Sequence, residues 1–142
     1  MVTPERFIEM AWTLELSICS LIKETTPSDY LERCKAEALK HGIAVYTLDF
    51  SLYESPKVAF SAEENRDLVN VLEKCGCKTL AIFKNAEALA PLACNETFWL
   101  RSLLINSNVS ELVVVFMVTK EENVRLFQES DGAFYRDCVS LN

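Results

Sequence analysis

The chain has 142 residues, half of them hydrophobic, which is enough to build one domain around a substantial core. Three glycines and four prolines exclude a linker-like or disordered composition. A formal charge of −7 repels phosphate backbones and anionic lipid, and no run of Lys or Arg offsets it, so neither nucleic acid nor a membrane surface is an expected partner.

Met1-Val2-Thr3-Pro4-Glu5-Arg6 reads as a helix start, with Thr3 as N-cap and Pro4 in the first turn; it lacks the layout of a signal peptide. A cytoplasmic, reducing setting is therefore expected, and Asn95-Glu96-Thr97 and Asn108-Val109-Ser110 are chance glycosylation tripeptides. The first helix is expected over about 3–14, with Phe7, Ile8, Ala11 and Trp12 on one face and a core spanning about 15–142. Leu14 to Ile22 fits either period: Leu14, Leu16 and Ile18 alternate as in a strand, while Leu14, Ile18 and Leu21 extend the helical stripe.

Thr26-Pro27-Ser28-Asp29 starts a second helix that carries Tyr30, Leu31, Cys34 and Ala38 and stops at Gly42. Ile43 to Phe50 is a buried-type strand, followed by a polar loop through Pro56. Ser61-Ala62-Glu63-Glu64 reads as a capping box for a helix presenting Leu68, Val71 and Leu72 and ending at Gly76. Thr79 to Phe83 is a short strand, and Glu96 to Asn106 a helix with Phe98, Trp99, Leu103 and Leu104. Leu112 to Val118 is the clearest strand, an unbroken apolar run suited to burial on both faces. A helix over Glu121 to Phe127 and a last strand over Cys138 to Leu141 complete the chain. The alternation predicts a single domain: a three-layer α/β/α sandwich with a mostly parallel sheet of four to five strands.

Ser17 to Ser51, with its strand, loop, helix, glycine and strand, resembles the start of an AAA+ or related P-loop ATPase core. Thr79 to Pro91 resembles that family's Walker B strand and following turn, Leu112 to Thr119 its sensor-1 strand, and Ala133 to Leu141 the approach to its fifth strand. The resemblance implies a Rossmann-like, P-loop-like fold, and it also implies what has been lost. A phosphate-binding loop needs glycines, a lysine and a Ser/Thr for Mg²⁺. The corresponding Lys23-Glu24-Thr25-Thr26-Pro27-Ser28-Asp29 has no glycine and carries two acids. Lys84 and Asn85 stand where the Walker B acids belong, with Glu87 two residues beyond. Arg136 falls near the place the family gives a trans-acting arginine finger; its plainer reading is a surface arginine paired with Asp131 or Asp137.

No other catalytic set presents itself. The single histidine, His41, falls in a helix's last turn, and Glu63-Glu64 and Glu121-Glu122 fall at helix starts, where each suits the helix dipole. The Cys75-Gly76-Cys77 triplet is either a chelating or redox pair, or a helix end with two packed thiols. Asp49, Asn85 and Thr119 end neighbouring strands on the sheet's carboxyl edge, where open α/β sheets place ligands, and form the candidate small-ligand pocket. Trp12 or Trp99, if exposed, marks a protein interface. The expected function is a non-enzymatic interaction or regulatory module, a pseudo-ATPase with no cofactor and no metal, partnering an ATPase or its own copies. An alternative comes from a rough similarity of Val124-Arg125-Leu126-Phe127 and the last strand to anti-sigma-factor-antagonist domains. Those are small α/β regulators switched by phosphorylation of a serine at a helix start.

Overall fold

The computed structural model describes residues 1–89, 95–106, 111–129, 134 and 138–142. Helix α1 (Pro4–Met10) begins as the sequence suggests, with the Thr3 hydroxyl accepting the Arg6 N–H at 3.2 Å. Helical hydrogen bonding continues to Leu14, whose N–H donates to Met10. A Schellman turn then closes it: Glu15 N–H donates to Trp12 and Leu16 N–H to Ala11, with Glu15 at φ 55°. That turn resolves the ambiguous stretch. Leu14 is exposed, and strand β1 (Ile18–Ile22) starts only beyond it.

Helix α2 (Tyr30–Lys40) ends in the same motif with Gly42 at φ 68°, as its position predicts. Strand β2 (Ala44–Asp49) follows. The expected loop holds a 3₁₀ turn over Phe50–Leu52 and runs to Ser55, and beyond it stands an unexpected helix, α3 (Pro56–Ser61), whose N-cap Ser55 accepts the Val58 N–H. This overturns the capping box. Ser61 lies inside α3, where its hydroxyl donates to Lys57 C=O at 2.7 Å, and helix α4 (Arg66–Glu73) starts after a 3₁₀ turn. Helix α4 also ends before Gly76, because Lys74 is already extended.

Strand β3 (Thr79–Lys84), helix α5 (Asn95–Asn106) and strand β4 (Leu112–Val118) lie close to their expected spans. Helix α6 (Lys120–Asn123) continues as a π-helical turn over Val124–Gln128, and strand β5 (Val139–Ser140) is two residues long. Among the described residues, five strands form one parallel sheet in the order β2-β3-β4-β1-β5.

The order explains the layers. The chain crosses from β1 to the far edge through α2, then steps back through β3 and β4 and passes over β1 to reach β5. Right-handed crossovers in opposite directions place their helices on opposite faces. Accordingly Phe7, Ile8, Tyr30, Leu31 and Cys34 pack with Leu21, Leu80, Ile82, Val113 and Val115 on one face. Leu68, Leu72, Leu100, Leu104, Leu126 and Phe127 pack with Ala81, Phe83, Val114 and Phe116 on the other. The second face holds an edge-to-face aromatic chain running from Phe50 through Phe83 and Phe116 to Phe127. Among the described residues no helix is long and apolar enough to cross a membrane.

Candidate functional site

Strand β1 sits between β4 and β5, so the connections leaving β1 and β4 diverge to opposite faces of the sheet. That divergence opens a crevice at the carboxyl edge, the place where open α/β sheets bind ligands. A cavity of about 380 Å³ occupies it. Lys23, Thr26, Pro27 and Ser28 of the β1–α2 connection line one side, Lys84 and Asn85 at the end of β3 another, and Met117, Thr119 and Glu122 the third, with Leu31 as part of the floor.

Two of the three residues expected to form a pocket, Asn85 and Thr119, therefore line the same cavity. Asp49 does not line it and stands behind Asn85. The Asn85 amide donates to Asp49 Oδ1 at 2.8 Å, and the Ser51 hydroxyl and N–H donate to the same oxygen at 2.6 and 2.9 Å. Hydrogen bonds from Asn85 and then Ser51 hold the Asp49 carboxyl below the usual carboxylate range, against a smaller opposing effect of burial. Asn85 adopts φ 55°, a left-handed conformation that asparagine tolerates better than most residues, and the bond to Asp49 fixes its side chain there. Ser51 escaped the sequence reading, although Asp49-Phe50-Ser51 is a recognisable Asx-turn pattern.

Thr119 is committed to structure. Its hydroxyl accepts the Glu122 N–H at 3.1 Å while the Glu122 carboxylate accepts the Thr119 N–H at 3.1 Å, a reciprocal capping box on α6. The next amide, Lys120 N–H, donates to the Glu24 carboxylate at 2.9 Å. An acid of the β1–α2 connection is thus spent on the neighbouring helix's N-terminus, where its charge opposes the positive dipole end. Thr26 Oγ1 donates to Ile22 C=O at 2.7 Å, and the Asn142 side chain ties the end of β1 to the turn after it: it accepts the Ile22 N–H at 2.7 Å and donates to Thr25 and Thr26 hydroxyls at 2.8 and 3.0 Å.

The remaining expectations fall elsewhere. Glu87 is exposed and paired with Arg125 at 2.5 Å, away from the cavity lining. Trp12 is only 7% exposed and its indole N–H donates to Glu111 C=O at 2.8 Å; it is a core residue, which corrects the interface reading. Trp99 is half-buried, edge-on to Phe60 with centroids 5.0 Å apart. Arg136 lies outside the described residues. His41 pairs with Glu37 at 3.2 Å at the C-terminal end of α2, away from the cavity. Of the triplet, Cys75 is half-buried with its thiol 3.0 Å from Cys77 C=O, and Cys77 is exposed. Among the described residues no group of three or more His, Cys, Asp or Glu is placed to hold a metal ion.

Among the described residues the cavity offers two ammonium groups, an amide, hydroxyls and the Glu122 carboxylate over an apolar floor. Among the described lining residues the one carboxylate, Glu122, is held by the capping box on α6. No protein-family model matches the chain, and no curated protein matches it in sequence.

Proposed function

We propose that the chain is a non-catalytic interaction or regulatory module on a degenerate P-loop-like domain, a pseudo-ATPase that works by contacting protein: an active ATPase or further copies of itself. One observation carries the reading. The β1–α2 connection sits at the crevice where a P-loop would hold phosphates, yet it lacks glycine and its Glu24 carboxylate is bound to the α6 amide of Lys120. At the end of β3, Lys84 and Asn85 replace the carboxylates that Mg²⁺ and an attacking water require, and Asn85 is already tied to Asp49. The all-parallel sheet, with residues 23–29 joining a strand to a helix, favours this over the phosphorylation-switched regulator, which calls for an antiparallel first strand. A cytoplasmic setting goes with the reading, since Cys19 and Cys34 serve as buried packing thiols.

Titration with Mg·ATP tests it. A nucleotide at about 100 times its dissociation constant would raise stability by about 2.7 kcal/mol. We expect no thermal shift, no calorimetric heat of binding and no phosphate release; micromolar ATP affinity would overturn the proposal.

A further inference from the structure

The two edges of the sheet are unequal. Strand β5 is Val139–Ser140, whereas β2 is six residues long, Ala44-Val45-Tyr46-Thr47-Leu48-Asp49, with no proline, glycine or lysine to blunt it. Because Ala44 N–H donates inward to Lys78 C=O at 3.2 Å, the alternation of the strand turns the N–H and C=O of Val45 and Thr47 outward. Among the described residues nothing pairs with that side of β2. Such edges template further strands.

We infer that β2 pairs with β2 of a second copy of this chain, antiparallel about a two-fold axis at Tyr46, extending the sheet across both copies. This rests on the reading of the domain as a protein-contact module that includes its own copies as partners. In this register Val45 faces Thr47 of the other copy and Thr47 faces its Val45, so the four outward N–H and C=O groups of each strand exchange four hydrogen bonds. An isologous contact of this kind closes at two copies.

The chemistry at the strand ends selects a second copy over an unrelated peptide. The start of β2 is flanked by Lys40, which is paired with Glu37, and by Lys78, which has no ion pair among the described residues. Its far end carries Asp49, beside Lys84 of β3 in the register, followed by Glu54. Antiparallel pairing sets the Lys78 end of each strand toward the Asp49 and Glu54 end of the other copy's strand, which a parallel arrangement would not do. The two most exposed large hydrophobic residues among those described, Leu39 at 79% and Leu52 at 74%, precede and follow the strand in the chain. Leu39 further belongs to a shallow groove of about 510 Å³ that runs beside Val45 and Thr47 on the α2 face.

The test compares wild type, Thr47→Pro and Thr47→Lys by light scattering at high micromolar concentration, with amide hydrogen exchange on the wild type. The expected wild-type mass is twice the 16.1 kDa of one chain. Val45 and Thr47 amides should lose protection on dilution, and both variants should run as single chains with unchanged circular dichroism. Should the proline variant misfold, the lysine variant and the exchange data still decide. A wild-type chain that stays single at high concentration, a dimer indifferent to both substitutions, or protection of Val45 and Thr47 appearing only when a foreign peptide is added would each overturn the pairing. Mg·ATP binding to the same samples separates the two ideas. A monomer blind to ATP defeats edge pairing alone, whereas ATP binding by a dimer defeats the pseudo-ATPase reading alone.

Discussion

Replacing Thr119 with alanine tests whether this residue is a helix cap or a ligand group. The hydroxyl accepts one α6 amide, from Glu122, and holds the arrangement in which Glu122 covers the amide of Thr119 and Glu24 that of Lys120. Loss of a threonine N-cap costs about 1 kcal/mol, with a range of roughly 0.5–2. The site is half-buried and the other two bonds survive, so the middle of that range applies. For a chain of this length the loss lowers Tm by about 3–4 °C. Thermal unfolding followed by circular dichroism reads it directly, and Thr119→Ser, which keeps the hydroxyl, should recover most of it. Combining Thr119→Ala with Glu24→Gln should give a loss different from the sum of the single changes, because both act on one helix terminus. An unchanged Tm in Thr119→Ala, or strict additivity in the double variant, would refute the cap assignment.

Asn85→Ala removes the leading hydrogen bond that lowers the Asp49 pKa. With a folded-state pKa below the unfolded value of about 3.9, Asp49 contributes stability that is fully present above that pH and lost as pH falls through the folded pKa; the variant should move the NMR titration of Asp49 upward and shrink this acid-labile contribution. An unmoved titration would contradict the assignment. Glu15→Gly places glycine at the exposed left-handed position closing α1, and urea unfolding should show a gain of about 0.5–1 kcal/mol; a loss would mean that Glu15 makes a contact outweighing its backbone strain. Burial pushes the thiols of Cys19 and Cys34 up to about 12, so at mildly alkaline pH a thiol reagent should modify exposed Cys77 rapidly and those two only on unfolding. Fast labelling of Cys19 in the folded chain would count against the packing described.

Some of this was legible in the residues alone. Strand β4 has the bounds its apolar run predicts, because a fully buried strand leaves no competing period. Gly42 closes α2 as foreseen, since a left-handed stop has one cheap solution. The capping box at Ser61 failed because Ser55-Pro56, six residues earlier, supplies the same signal with a better first turn, leaving Ser61 inside a helix. Leu14 to Ile22 stayed ambiguous because its closing turn uses a glutamate where glycine would have announced it. Asn85 and Thr119 were found together because strand ends at one sheet edge are neighbours by construction. Glu24 and Asn142 were not, since their partners lie 96 and 120 residues away and no local pattern signals such a bond.

The Asn142 side chain completes, with a carboxamide, the pairing that β5 begins on β1. The lip of the crevice and the last strand are therefore one mechanical unit. Whatever seats or frays β5 transmits to Thr25 and Thr26 without crossing the interior, so a contact made at that outer strand has a short route for reshaping the hollow beside it.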